Sequence, residues 1–265
     1  MTQTTSAVTA GAFAPRPGAA PLARQVLAQA SMEARLMLRN GEQLLLAVVI
    51  PVIVLIGGVQ GSDSIGLDLS HPPVDVFTPG VLALAVMSTS FTSLAIATGF
   101  ERRYGVIKRL GASPLPRVGL LAGKALALLL VEVVQIVVVC GVGLALGWNP
   151  DTAPAAFVGA LLAAVLGTFA FAALGLFVAG VLRAEATLAA ANLVYLLLMA
   201  GGAVVLPASA YGAFGDAVSW LPSGALGQAM RAAFLDGSIA WTHLLVLAAW
   251  AALGTALTAR TFKWE

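Results

Sequence analysis

The sequence predicts an all-α integral membrane protein with six transmembrane helices. Of its 265 residues, 60% are hydrophobic and only 10% are charged. The mean hydropathy of +0.96 is far above that of soluble proteins. Six apolar runs approach or exceed the roughly 20 helical residues that cross a hydrocarbon core. We place these spans at about 43–60, 77–100, 118–147, 153–182, 187–206 and 239–261.

The basic residues predict that both termini are cytoplasmic. Cytoplasmic segments of membrane proteins carry an excess of Lys and Arg. With six spans and cytoplasmic termini, only Arg231 of the 14 basic residues falls outside. The predicted external segments carry instead Asp63, Asp68, Asp75, Asp151, Asp216 and Asp236.

The chain divides into three parts. Residues 1–21 are rich in Thr, Ala, Pro and Gly and lack the pattern of a signal peptide, which predicts a disordered cytoplasmic tail. Residues 22–40 mix leucines with arginines, which favours an amphipathic helix lying on the inner membrane surface. An ordinary solvated linker helix is the alternative. Residues 41–265 form the transmembrane domain.

Two polar residues lie near the centre of the third span. Glu132 and Gln135 are three positions apart and therefore share one helix face. Lys124 is close enough to the inner surface for its ammonium group to reach water. A carboxylate in mid-bilayer must be protonated, paired or in contact with water. Glu132 and Gln135 therefore line a translocation path or subunit contact, or form a buried hydrogen-bonded pair between helices.

The segment between the second and third spans predicts a docking element for a cytoplasmic partner. Charged residues end the second span, a glycine permits a bend, a short helix follows, and prolines stop it. Such a basic and apolar helix suits a groove on another protein. The alternative is a loop whose charges only set topology. The candidate contact residues are Glu101, Arg102, Arg103, Gly105, Lys108, Arg109, Leu110 and Pro114.

The external segment 207–238 is apolar but too interrupted to cross the membrane. Pro222, Gly224 and Gly227 break it, which favours a helical hairpin that enters the outer leaflet and returns. Trp220, Pro222 and Arg231 are its candidate functional residues. We expect Arg231 to pair with an aspartate, either Asp216 or Asp236.

Catalytic, metal and nucleotide signatures are missing from the sequence. Residues 119–125 are one residue too short for a phosphate-binding loop, and Ala125 stands where such a loop needs Ser or Thr. The single cysteine, Cys140, excludes an internal disulfide. The net charge of +2 is spread around apolar runs, which argues against nucleic acid. We therefore expect no enzyme activity, no metal and no bound cofactor on this chain.

Several loose motifs occur in a specific order. Phe77-Thr78-Pro79-Gly80 enters the second span, Gly105, Arg109-Leu110 and Pro114-Leu115-Pro116 follow, Gly123-Lys124 lies in the third span, and the hairpin runs from Leu221-Pro222 to Ala232. Together they resemble the ABC-2 type exporter permeases, particularly the daunorubicin-resistance-like branch of actinobacteria. Many relatives have the order Arg-Glu-x-Gly, in which the glycine corresponds to Gly105 here. In this chain Arg103 stands at the position of the glutamate, and the acidic residue is Glu101.

The resemblance implies the membrane subunit of an ATP-driven exporter in the bacterial plasma membrane. It implies a dimer with a second copy or a related permease. Two copies of a separate ATP-binding subunit would bind ATP and magnesium. The implied cargo is hydrophobic or amphipathic, drug-like or lipid-like. Two rival functions are a proton-coupled secondary transporter that uses Glu132 and a membrane scaffold without transport.

Overall fold

The computed structural model describes residues 20–39, 41, 45–62, 69–111 and 116–261. Every regular element within these ranges is helical, which confirms the all-helical class. The α-helices are α1 (Leu22–Arg39), α2 (Ile50–Gly61), α3 (Pro73–Met87), α4 (Leu94–Arg103), α5 (Val106–Gly111), α6 (Arg117–Ala145), α7 (Pro154–Val181), α8 (Ala184–Gly201), α9 (Gly215–Ser219), α10 (Pro222–Asp236) and α11 (Trp241–Thr261). The π-helical turns Leu45–Val49 and Ser88–Ser93 precede α2 and α4, and a 3₁₀ helix covers Ala208–Phe214.

Five helices are long and apolar enough to cross a membrane. They are the continuous rod Pro73–Arg103, which contains α3 and α4, together with α6, α7, α8 and α11. The first predicted span corresponds to a shorter apolar helix, Ala47–Gly61, and residues 42–44 of that span lie outside the described ranges. Six crossings therefore remain a prediction, whereas a multi-pass helical membrane protein is established.

The rod of α3 and α4 forms the centre of the bundle. It is buried over most of its length, whereas fewer than half of the residues in each of the other four long helices are buried. α3 packs against α2, α6, α7 and α10, and α4 packs against α7 and α8. The exposed faces of α6 and α8 carry large apolar side chains such as Val133, Val137, Leu193 and Leu197, as expected for helices surrounded by lipid.

Two ends of the bundle differ in composition. We call the end formed by α5, the last turns of α4, α7 and α11, and the first turns of α6 and α8 the basic end. The opposite end, formed by residues 202–236, is the hairpin end. α1 packs along the start of α6 at the basic end. A Cβ at Gly123 would lie 2.7 Å from Gln29 Cγ, so the absence of a side chain permits this close approach.

The fifth span begins and ends earlier than predicted. α8 ends at Gly201, and residues 202–206 are not helical although the sequence predicted helix to 206. Two successive glycines weaken the helix here, and Ala203 has a positive φ of 53° that no right-handed helix contains. The unwound segment leads into the predicted hairpin, whose arms are the short helices up to Ser219 and the longer α10. Its entry into the membrane remains a prediction.

Candidate functional site

Glu101 points into the protein at the basic end. The Lys124 ammonium donates to Glu101 Oε1 at 2.7 Å and to Glu33 Oε1 at 2.9 Å. These contacts join α4, α6 and α1. The Lys124 side chain is only 7% exposed, so the expectation that it reaches water is wrong. Two carboxylates hold the ammonium inside, because a buried charge is tolerated only when it is paired.

Arg102 and Arg103 face two other helices. The Arg102 guanidinium donates to the carbonyls of Ala179 and Gly180 in the last turn of α7, where helix carbonyls lack intrahelical partners. Arg103 forms an ion pair with Glu185 in the first turn of α8. Three consecutive residues at the end of α4 are therefore anchored to three different parts of the bundle.

The segment after α4 presents an exposed basic surface. Gly105 has φ of +68°, which lets the chain turn between α4 and α5. Tyr104, Lys108 and Arg109 are exposed, and the Tyr104 ring stacks on Phe100 with centroids 6.1 Å apart. We call Arg103, Tyr104, Lys108 and Arg109 the coupling surface. Of the other predicted contact residues, the Leu110 side chain and Pro114 lie outside the described part.

Glu132 lies among hydroxyl groups inside the bundle. It is 2% exposed. Ser90 Oγ donates to Glu132 Oε1 at 2.5 Å, and Thr168 Oγ1 donates to Glu132 Oε2 at 2.6 Å. Ser90 belongs to the π-helical turn between α3 and α4, and Thr168 to α7. The carboxyl group therefore joins three elements at the level of the irregular turn.

The same hydroxyls permit either protonation state of Glu132. Each hydroxyl has one hydrogen, and each also lies within hydrogen-bond distance of a backbone carbonyl, 2.8 Å from Val86 O for Ser90 and from Ala164 O for Thr168. Both hydroxyls can donate to a carboxylate. Alternatively, one hydroxyl can donate to its backbone carbonyl and accept a hydrogen bond from the O–H of a carboxylic acid.

Gln135 extends this polar contact to the start of α2. Thr89 Oγ1 donates to Gln135 Oε1 at 2.8 Å, and Gln135 Nε2 donates to the Ala47 carbonyl at 2.6 Å. Thr89 and Ala47 each lie in one of the two π-helical turns, where widened backbone geometry changes the regular bonding pattern. Gln135 thus holds the two irregular turns together.

Arg231 is enclosed by backbone carbonyls at the hairpin end. Its Nη1 donates to the carbonyls of Val204 and Val205, both at 3.1 Å. Its Nη2 donates to those of Ala203 and Leu206 at 2.8 and 3.0 Å. The remaining donor, Nε, bonds Gln228 Oε1 at 3.0 Å. All five N–H groups of the guanidinium are used. We call this arrangement the Arg231 clamp.

The Arg231 clamp replaces the expected aspartate pair. Neither Asp216 nor Asp236 is an ion-pair partner of Arg231 in the part of the chain that the structure describes. Unwinding at residues 203–206 releases carbonyls from helical bonding, and converging carbonyl dipoles stabilise a cation in their place. Burial lowers the pKa of the Arg231 guanidinium to about 10, so the group stays charged at neutral pH.

Two glycines make room for the clamp. A Cβ at Gly80 would lie 2.5 Å from the Val205 carbonyl oxygen and 2.9 Å from Arg231 Nη1. A Cβ at Gly227 would lie 2.6 Å from the Val204 oxygen and 2.9 Å from Arg231 Nη2. The Phe77-to-Gly80 motif therefore has a physical role here, because α3 must approach the unwound backbone closely.

The other two hairpin residues have separate positions. Pro222 is buried at the first position of α10, where a missing N–H costs nothing. Trp220 is 62% exposed, and its carbonyl accepts a 3.0 Å bond from Trp250 Nε1 of α11. The hairpin is thereby attached to the last predicted span as well as to the unwound residues 203–206.

Asn192 is a candidate that the sequence reasoning missed. It lies midway along α8, and its side-chain amide is exposed and has no hydrogen-bond partner among the described residues. An unpaired amide facing lipid at this depth is unfavourable. In the sequence, a single Asn within an apolar run was the feature that could have identified this position. The Ser-Thr-Ser-Phe-Thr-Ser run at 88–93 similarly signalled the partners of Glu132 and Gln135.

An apolar cavity of 310 Å³ lies between α4, α6, α7 and α11. Its lining includes Leu94, Leu128, Phe169 and Leu176, and Lys124 contributes a polar residue. The volume is in the range of small-molecule sites.

Comparison with known families gives one match. A family model described as ABC-2 family transporter protein matches residues 43–260, which is most of the chain. No curated protein matches the sequence. The matched region contains the coupling surface, the Glu132 contacts, Asn192 and the Arg231 clamp, and it begins after α1.

Proposed function

The chain belongs to the ABC-2 transporter family, and from this premise we propose that it is the permease subunit of an ATP-driven exporter. The proposed cargo is hydrophobic or amphipathic and drug-like or lipid-like, and it moves outward across a bacterial plasma membrane. ATP and magnesium bind to a separate ATP-binding subunit, present in two copies. The termini and the basic end face the cytoplasm in this proposal.

The coupling surface carries the proposal. A permease that receives work from a separate ATPase needs a contact that is both exposed and firmly held. Arg103, Tyr104, Lys108 and Arg109 are exposed. The two residues just before them are bonded to α6 and α7, and Arg103 itself is paired with Glu185 of α8. Movement of the coupling surface would therefore displace several spans together. Glu101 and Arg102 support it from inside.

An exposed amide in mid-membrane supports assembly with a second permease. Asn192 lies on the same helix as the exposed Leu193, Leu196 and Leu197. In a monomer this amide would face hydrocarbon, whereas a second copy or a water-filled path between copies would satisfy it. We propose that the Asn192 face of α8 meets a second permease, either the same chain or a related one.

A secondary transporter driven by Glu132 is the weaker alternative. A proton carrier must exchange protons with water during its cycle, whereas Glu132 is 2% exposed and both its oxygens contact hydroxyls. This environment favours the buried interhelical pair over the translocation path. A scaffold without transport would need the coupling surface but not the apolar cavity.

A double substitution on α5 tests the function. Arg109→Ala with Leu110→Ala removes charge-assisted and apolar contacts at the proposed interface. We expect at least a tenfold loss of transport, with weaker retention of the ATP-binding subunit or ATP hydrolysis that no longer depends on substrate. Membrane insertion should be unchanged, since Arg102, Arg103 and Lys108 remain.

The chain offers a matched control for this experiment. Arg35 and Leu36 are an exposed Arg-Leu pair on α1, so Arg35→Ala with Leu36→Ala removes the same groups elsewhere on the basic end. Transport and ATPase retention should stay near wild type in this control. If the α5 variant transports as well as wild type at equal expression, the basic residues of the coupling surface set membrane topology only and do not couple the permease to an ATPase.

A further inference from the structure

A polar pocket of 480 Å³ lies at the basic end, apart from the apolar cavity. The last turn of α4, the end of α7 and the start of α8 enclose it. Three of its lining residues are arginines, Arg102, Arg103 and Arg183, and one is acidic, Glu185. Three guanidinium groups against one carboxylate leave a local excess of positive charge, which favours an anionic ligand.

The three arginines differ in the contacts that their side chains make within the protein. Arg102 is held by α7 carbonyls, and Arg103 is paired with Glu185. The Arg183 side chain is exposed and has no hydrogen-bond or ion-pair partner among the residues that the structure describes, although its backbone carbonyl accepts from Thr187 N–H at 2.7 Å. It directly precedes α8, whose first backbone N–H groups lack intrahelical acceptors and add positive potential. Arg183 is therefore the cation best able to bind a ligand.

The pocket lies at the depth of lipid headgroups. The three spans around it end or begin at Arg103, Val181 and Ala184, so its walls are the terminal residues of spans. Lipid phosphates occupy this boundary, and basic pockets between helices on the cytoplasmic side suit anionic headgroups. The coupling surface is carried mainly by residues beyond the span end. Apart from Arg103, which belongs to both, the residues proposed to contact a soluble partner therefore lie outside the pocket.

We propose that this pocket binds the phosphate of an anionic phospholipid in the leaflet at the basic end. Arg183 supplies the principal contact, and Arg102 and Arg103 contribute positive potential. Glu185 opposes binding by occupying Arg103. The lipid would fill the gap between α4, α7 and α8 next to the coupling surface.

Native mass spectrometry of the full chain tests the proposal. The protein is equilibrated with vesicles of equal phosphatidylglycerol and phosphatidylcholine, extracted, and scored for retained lipid. Arg183→Gln should lower phosphatidylglycerol retention about fivefold, the effect of one basic residue near a charged membrane surface. Arg260→Gln, which removes an exposed charge at the same end of the bundle but outside the pocket, should leave retention unchanged. Glu185→Gln should raise it, because Arg103 is released.

Each arm can overturn the proposal. Equal retention in wild type and Arg183→Gln, or lower retention in Glu185→Gln, contradicts a phosphate site at Arg183. Displacement of phosphatidylglycerol by millimolar inorganic phosphate would assign the pocket to free phosphate. Loss of a co-purifying ATP-binding subunit from Arg183→Gln, with lipid retention unchanged, would assign it to protein docking.

Discussion

Arginines at the two ends of the bundle meet backbone carbonyls in different ways. At the hairpin end, all five N–H groups of Arg231 donate to acceptors inside the protein, and four of these acceptors are the carbonyls of residues 203–206. At the basic end, Arg102 bonds two carbonyls of α7, while its neighbour Arg103 is exposed. In the first arrangement the guanidinium has no N–H group left for another partner. The second anchors one side of a segment and leaves the other side available for contact.

The difference follows from what each backbone segment lacks. Residues 203–206 have left the helix, so their carbonyls need donors wherever water is excluded. A guanidinium with five donors in a fixed plane satisfies several of them at once. The end of α7 is an ordinary helix terminus near water, where one arginine suffices. The buried Arg231 therefore marks a break in the helical backbone, whereas the exposed Arg103 lies on the proposed contact surface.

The largest expected effect comes from breaking the clamp. Arg231→Met keeps the apolar stem but leaves four carbonyls without donors, which we expect to destabilise the fold by about 3–5 kcal/mol. Thermal unfolding in detergent and abundance in the membrane measure the loss. Arg260→Met, an exposed arginine at the basic end, should behave like wild type. If both variants unfold at the same temperature, the clamp contributes no more than a surface charge.

A smaller effect is expected from crowding the clamp without removing it. Gly80→Ala places a Cβ 2.5 Å from the Val205 oxygen, so α3 or the unwound segment must shift, at a cost of about 1–3 kcal/mol. Gly141→Ala is the control, because nothing lies within 4 Å of its added Cβ and alanine favours a helix. Its unfolding temperature should stay equal or rise slightly. A Gly80→Ala variant as stable as Gly141→Ala would show that the approach at Gly80 is not tight.

The sequence predicted the helical class, five of the long apolar helices and the short helix after Gly105, because hydropathy and helix-stopping residues are local signals. It did not predict which side chains meet. Lys124, Glu33 and Glu101 are distant in sequence, and only the packing of α1 on α6 brings them together. The Arg231 partners are backbone atoms, which a pattern of side chains cannot reveal. Pairing by charge therefore pointed to Asp216 or Asp236.

The smallest expected effect lies between the two ends, where Glu132 is neither clamped by backbone nor exposed. Glu132→Gln keeps one acceptor for a hydroxyl, and its amide N–H can donate to the other hydroxyl once that group turns to Val86 O or Ala164 O. We expect the free energy of unfolding of Glu132→Gln to lie within about 1 kcal/mol of the wild-type value. Transport in reconstituted vesicles should be unchanged. Glu132→Leu should lower abundance, since two buried hydroxyls lose their shared partner. Normal abundance of Glu132→Gln with transport abolished would instead place this carboxyl group on the path of a proton or substrate.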